Sequence, residues 1–351
     1  MIYRPVRERS MNNLCELAEA LVGSSGYEEL SLLSLSSADY TRIKDLISKL
    51  ASEYGPQGVA VSLPSLRVDS FSIALARDVE KSRRTGLTFA PEAGTQRMRD
   101  IINKGVTEDD LMAAATDAFE SGWDQIKLYF MIGLPFETLE DIDGIAALSR
   151  RVLQLGRQVA GARGKAGRAR VNVSVSSFVP KPHTPFQWFP QNTREQLVQK
   201  QSYLKDRMRV RGLSASFHDV WASHLEAAFA RGDRRLAPVI ERARDLGCRF
   251  DGWSDQFRPS LWQQAFADLG LDSSMWANAE YGYSDTLPWD HIDMGVSRAF
   301  LVREARRAEN GLTTPDCREA DCSGCGVCRG DVRVRLAGAF AGNPSQGGGR
   351  A

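Results

Sequence analysis

Apolar and polar positions in the first half of the chain fall into two alternating rhythms. After an opening turn, MNNLCELAEALV spaces its apolar residues on one helical face, and EELSLLSLS follows with strand-like alternation. The pair then repeats. DYTRIKDLISKLASEY, FSIALARDVEKSRR, QRMRDIINKG, DDLMAAATDAFESG and ETLEDIDGIAALSRRVLQLG read as helices. Between them QGVAVSLPSL, TGLTFAPEAG, WDQIKLYFMIGLP and RVNVSVSSFVP read as strands. This alternation predicts an α/β fold of parallel strands joined by helical crossovers, with both sheet faces covered. A (β/α) barrel is favoured over a doubly wound sheet because polar residues, glycine and proline recur at the strand C-terminal ends, where barrels keep their chemistry. The chain opens on a helix, as though a first barrel strand were missing.

From NTREQLVQKQSYLKDRMR onward the strand rhythm stops, and ASHLEAAFARG, RRLAPVIERARDLG and SRAFLVREARRAE read as helices. The Pro-rich PKPHTPFQWFP places the boundary near Pro190, since proline cannot continue a sheet ladder. The predicted organisation is a partial TIM-like barrel over 1–190, a helical region over 191–315, a cysteine-rich knuckle over 316–329 and a flexible tail over 330–351.

Composition narrows the function classes. Lys and Arg total 45 against 44 Asp and Glu, and this net charge of +1 over 351 residues argues against wholesale coating of nucleic acid and against an acidic disordered chain. Neither a signal h-region nor an apolar run of about 18 residues is present, so the expectation is a cytoplasmic protein without a membrane partner. Six cysteines are too few for a secreted disulfide framework. Cys15 and Cys248 stand alone and read as small apolar residues.

The strand ends carry the candidate chemistry. In order they offer Ser36, Ser37 and Asp39, then Ser65 and Arg67, then Glu92 in APEAGT, Lys127 within the fourth strand, GLPFET after it and Lys181 after the fifth. A mouth with carboxylates, hydroxyls and a lysine suits a zwitterionic amino-acid ligand, with Lys127 for a carboxylate and Asp39 or Glu92 for an ammonium or ribose hydroxyls. In GLPFET, Thr138 followed by Asp141 forms a near capping box, and Gly133 and Pro135 let the backbone approach a ligand. By spacing alone, GLPFET also reads as an ordinary strand–turn–helix connection.

RPVRERS, SLSSADY, FAPEAGTQRMRDIINKGVT, KLYFMIGLPFETLEDI and VSSFVPKPHTPFQW together resemble the part of a radical S-adenosylmethionine (SAM) core that follows its cluster loop. The resemblance is to radical SAM proteins that often carry a B12-binding-like domain upstream, and it continues through HLEAAFARGDRRLAPVI, FDGWSDQF, LPWDHIDMGV and the last cysteines. It implies reductive cleavage of SAM to a 5′-deoxyadenosyl radical, a 4Fe-4S cluster, an electron donor such as flavodoxin or ferredoxin, and cobalamin through an upstream domain. By the same resemblance Ser36, Ser37 and Asp39 meet the methionine ammonium, Ser65 lies at the cofactor, Glu92 and Lys127 contact the ribose or carboxylate, and Gly133 to Pro135 lie against the adenine. The family's Cys-x3-Cys-x2-Cys ligands, expected directly before the RPVRERS-like segment, are absent. The expectation is therefore a fragment, starting at an internal Met and catalytically silent as it stands.

Cys317, Cys322, Cys325 and Cys328 lie in CREADCSGCGVC, with glycines that permit tight turns. Four thiolates suit tetrahedral zinc or an iron–sulfur cluster, and the short spacings resemble ferredoxin-type binding somewhat more. They leave no open iron for SAM. Arg150, Arg151, Arg157, Arg163, Lys165, Arg168 and Arg170 form a basic run that reads as an RNA-binding patch or, more simply, as a solvated loop complementing a helix C-terminus. His183, His218, His224 and His291 show no ligand spacing. The leading expectation is a truncated radical SAM enzyme acting on an unread substrate, with RNA or ribosome modification and B12-assisted methyl transfer both permitted. The alternative is a non-catalytic metal-binding or RNA-binding scaffold.

Overall fold

The structure, a computed structural model, describes residues 4–34, 37–62, 87–162, 164, 166–318, 320–329 and 332–337. Strands β1 (Glu29–Ser31) and β2 (Ala60–Ser62) pair in parallel. Strands β3 (Leu87–Glu92), β4 (Gln125–Ile132), β5 (Arg170–Ser177) and β6 (Leu213–Phe217) form a second parallel sheet in that order. Each strand lies beside the next in the chain, with no reversal of direction across the sheet. The linking helices are α1 (Met11–Ser25), α2 (Ile43–Tyr54), α3 (Gln96–Ile101), α4 (Glu108–Glu120), α5 (Leu139–Ala162) and α6 (Arg194–Arg207). Beyond β6 come α7 (Val220–Arg231), α8 (Leu236–Asp245), α9 (Pro259–Asp268), α10 (Ser274–Ala277) and α11 (Arg298–Glu309). The helix expected in FSIALARDVEKSRR and the end of the strand in QGVAVSLPSL lie outside the described residues. No described helix is long and apolar enough to cross a membrane.

Local chemistry fixes the helix starts. Thr107 with Asp110 and Thr193 with Gln196 form complete capping boxes ahead of α4 and α6, and Ser10 caps α1 through the Asn13 amide. The core lies on one side of the main sheet. Phe89, Ile126, Leu128, Phe130, Ile132, Val171, Val173 and Val175 pack with Leu111, Ala115, Ile142, Ile145 and Val152 of the crossover helices. Each such large apolar side chain contributes roughly 1.5–3 kcal/mol when removed from water.

Two expectations are corrected here. The strand rhythm does not stop at Pro190: Leu213–Phe217 adds a sixth strand, paired with β5 from Val171↔Leu213 to Val175↔Phe217. Its LSASF is short, with serine and alanine at three of five positions, so it carries little strand signal of its own and is held by its neighbour. Among the described residues the strands are also not covered on both faces. β4 and β5 alternate buried and accessible positions, leaving Lys127, Tyr129, Asn172 and Ser174 on an open face among the described residues, with Tyr129 38% exposed. Lys, Asn and Ser on that face are poorly suited to dry burial.

Candidate functional site at the strand ends

The open face is polar across its width. Register sets Thr88 beside Lys127, Lys127 beside Asn172 and Asn172 beside Ser214, whose hydroxyl donates to Asn172 Oδ1 at 2.7 Å. One step along, Tyr129, Ser174 and Ser216 stand in a second row. Lys127 Nζ sits 4.6 Å from the centre of the Tyr129 ring and makes no ion pair among the described residues, so its charge is available on this face.

At the C-terminal edge, β3 bulges between Phe89 and Glu92, and Glu92 adopts φ +66°, a conformation unusual for a side chain with a Cβ. Its carboxylate is 3.1 Å from Lys104 Nζ. The following turn is locked against α5. A Cβ on Gly94 would lie 2.2 Å from the Ile145 amide nitrogen and 2.4 Å from the Asp141 carbonyl, so only glycine permits this approach. Asp141 accepts hydrogen bonds from Thr95 Oγ1 at 2.5 Å, the Thr138 amide at 2.8 Å and the Thr138 hydroxyl at 2.9 Å, and pairs with Arg97. Burial alone would raise the Asp141 carboxyl, but the bonds from Thr95, Thr138 and Arg97 outweigh it and hold it below the ordinary carboxylate range. Arg97 also donates to the Phe136 carbonyl at 3.0 Å, so the APEAGT turn and the GLPFET loop form one rigid unit.

Within GLPFET, Gly133 has φ +80° and donates its amide to Glu137 Oε2 at 2.9 Å. A Cβ there would meet Leu197 of α6 at 2.9 Å. Its glycine therefore serves the turn and the packing of α6, while Pro135 beside it is half-buried. Glu137 is buried and 2.7 Å from Lys200. Burial pushes its carboxyl up, the Lys200 charge and hydrogen bond and the Gly133 amide pull it down, and the net shift is upward.

At the end of β1, Ser37 is buried with its hydroxyl on the Leu32 carbonyl at 2.9 Å, and Asp39 lies 3.7 Å from Arg318. Ser36, Ser65 and Arg67 lie outside the described residues. Arg318 belongs to the cysteine-rich segment, which therefore reaches this strand end. The same segment meets the start of the chain, where Arg4 donates to Ser323 and hydrogen-bonds the Cys325 thiol. Burial works against the Cys325 thiolate, but the Val327 amide and Arg4 outweigh it and the thiol is held below its ordinary value. Burial pushes the Cys317 thiol up. The Gly324 amide donates to Cys322 Sγ at 3.4 Å, and Gly324 and Gly326 take the left-handed φ values +68° and +92° that the tight turns require. Cys322 and Cys328 are exposed. Among the described residues no three His, Cys, Asp or Glu side chains stand close enough together to hold a metal ion. The thiols suit a metal as donors, but this structure does not gather them.

The turns APEAGT and GLPFET lie in a stretch that matches a family model. Residues 1–148 match the Radical SAM superfamily. The chain is also similar to an uncharacterized protein of Methanocaldococcus jannaschii, 30% identical over 246 residues that make up 70% of this chain and 50% of the relative. The chain spans about half the length of that curated relative.

The radical SAM match covers β1 to β4 and the first turns of α5, which includes both APEAGT and GLPFET. Beyond it, Lys181 pairs with Glu226 of α7 and is not part of the strand-end group. Four members of the basic run engage protein acceptors: Arg150 and Arg157 the carbonyls of Arg207 and Arg211, Arg151 Glu108, and Arg170 the carbonyls of Gly167 and Ala169, while Arg168 is exposed. That engagement accords with a helix-flanking loop; Arg163 and Lys165 lie outside the described residues. Cys248 is buried in the helical region, and Cys15 packs beside the α1–α2 core. The Glu137–Lys200 pair was not legible, because nothing in the sequence links GLPFET to a lysine on α6.

Proposed function

We propose that this chain is the SAM-binding core of a radical SAM enzyme, a partial (β/α) barrel whose sheet runs on to β6, with its helical region beyond. The observation that carries the reading is the sequential parallel sheet with one polar face, ending in the two interlocked turns of the matched region. On this reading Lys127 offers its free charge to the methionine carboxylate, and Glu92, held by Lys104, accepts from the ribose hydroxyls. The GLPFET backbone, fixed by Asp141 and Glu137, lies against the adenine. Ser37 and Asp39, at the end of β1, lie towards the methionine ammonium. A 4Fe-4S cluster, when bound in such enzymes, supplies the electron that cleaves SAM. The residues here do not fit that cluster: Cys15 is the one cysteine before Cys248 in the sequence, and it packs in an apolar helix pair. The chain is accordingly expected to bind SAM and not to cleave it. Cys317, Cys322, Cys325 and Cys328 form a separate zinc or iron–sulfur knuckle once drawn together by the metal.

The test is calorimetric titration with SAM, followed by reconstitution with iron and sulfide and reduction with dithionite. Saturable one-site binding, weakened at least tenfold by Lys127→Ala, with no 5′-deoxyadenosine formed, is expected. No binding at millimolar SAM would overturn the cofactor site, and catalytic formation of 5′-deoxyadenosine would overturn the silence of this chain.

A further inference from the structure

A second concave site lies in the helical region, outside the part of the chain matched to the superfamily. It is a cleft of about 260 Å³ between the start of α6, α7 and α9. Its walls are aromatic: Trp221, Phe257, Trp262 and Phe266 line it, and Arg194 lies over the Trp221 ring with its guanidinium carbon 3.6 Å from the ring centre. Exposed Gln263 and Ala267 on its rim open it to solvent.

The polar atoms in these walls are incompletely used. His224 is 3% exposed, and its Nε2 meets Ser273 Oγ at 2.8 Å, but its Nδ1 is buried with no hydrogen-bond partner. Trp262 Nε1 is likewise buried and unpartnered. A buried polar group left without a partner costs about 1–3 kcal/mol, so two beside one cleft need an explanation. Burial and the adjoining Arg194 push His224 down to about 4, against the opposing pull of Asp272 and Glu195, so the ring is neutral near pH 7. A neutral imidazole bonded to a serine hydroxyl offers either a donor or an acceptor at Nδ1, depending on which way the hydroxyl turns. The carboxylate on the wall, Asp272, is taken up by the Ser274 amide at 2.8 Å.

An aromatic slot favours a flat ring. Unpartnered donor and donor-or-acceptor groups beside it favour a ring with polar edge atoms over a hydrocarbon one, which would leave both groups unsatisfied. We propose that this cleft binds a planar heteroaromatic ring with a hydrogen-bonding edge, the chemistry of a nucleobase, at a site separate from the strand-end cofactor site. The base enters between the aromatic walls, and the Trp262 indole, whose Nε1 is buried, turns to donate to it. The source is a free nucleoside or a base of a single-stranded RNA. The loop that leads to Phe257 exposes Phe250 and Trp253, on which neighbouring bases of a strand would stack.

The test uses the full chain, titrated calorimetrically with adenosine, guanosine, cytidine and uridine and with a mixed-sequence hexaribonucleotide at two salt concentrations. Saturable binding of at least one probe is expected, lowered tenfold or more by Trp262→Phe, which keeps the ring and removes the donor. Lys127→Ala should leave it unchanged. Nucleoside binding with little salt dependence identifies a free ligand, and binding of the hexamer alone with steep salt dependence identifies a strand; both support the proposal. No saturable binding of any probe at millimolar concentration overturns it. So does binding that Trp262→Phe leaves intact while thermal unfolding shows the variant folded.

Discussion

Replacing Lys200 by methionine tests the internal support of the GLPFET loop. The Glu137 side chain is 3% exposed and Lys200 19% exposed, and the carboxylate also holds the Gly133 amide. Removing the lysine leaves a buried carboxylate with one amide and no counter-charge. Breaking a buried pair in this way costs about 3–5 kcal/mol, and the partial exposure of Lys200 points to the lower end. The sign with pH follows from the raised Glu137 carboxyl. Its neutral form contributes stability that is complete below the ordinary carboxyl value and is lost as pH rises through the higher folded value. Lys200 pulls that folded value down, so Lys200→Met raises it further, and the variant's deficit should be largest near pH 8 and shrink towards pH 5. Urea unfolding at both pH values, with Glu137→Gln/Lys200→Met as the neutral control, reads this directly. The double variant should recover to within about 1 kcal/mol of the wild type. A Lys200→Met deficit below about 1 kcal/mol at pH 8, or one equal at both pH values, would refute the reasoning.

Other outcomes follow from the same geometry. Gly94→Ala drives a Cβ into the backbone of α5 and should destabilise by about 2 kcal/mol or more, with SAM affinity falling as the APEAGT turn shifts; an unchanged melting temperature would contradict the close approach. His224, held neutral with a folded value of about 4, contributes stability that is complete above its ordinary value near 6.5 and is lost as pH falls through 4, about 3 kcal/mol in all. His224→Gln should flatten stability over that window, and an unaltered pH profile by thermal unfolding would count against it. Cys325→Ser should strip bound zinc or iron from protein prepared with metal, and full retention by elemental analysis would sink the knuckle.

The order of strands and helices in the first half of the chain was legible in the sequence. KLYFMI and VNVSVS stood out as strands, but their alternate positions face an open side instead of the covered one expected, and the capping boxes of Thr107 and Thr193 were not part of that expectation. β6 was not legible, because LSASF has little apolar area and its pairing with β5 is non-local. α9 was missed as well, since PSLWQQAFAD follows a run of turns and buries Ala265 and Phe266 only against other helices of the same region. At the strand ends, Glu92, Lys127 and Gly133 were singled out by type, spacing and resemblance. Their partners Lys104, Tyr129 and Glu137 are set by a bulge, a shared strand face and a loop closure that spacing does not encode. The cysteines were legible as donors, while their contact with Arg4 and the reach of Arg318 to Asp39 join opposite ends of the chain and leave no trace in local pattern.

Hydrogen–deuterium exchange of the full chain with and without SAM tests the central claim most directly, because it reports where the cofactor acts. SAM should slow exchange in the strand-end turns over residues 90–97 and 131–138, with the helical cleft over 221–273 unchanged. Protection confined to the helical region, or none at SAM concentrations that saturate the calorimetric signal, would contradict the assignment of the strand ends as the SAM site.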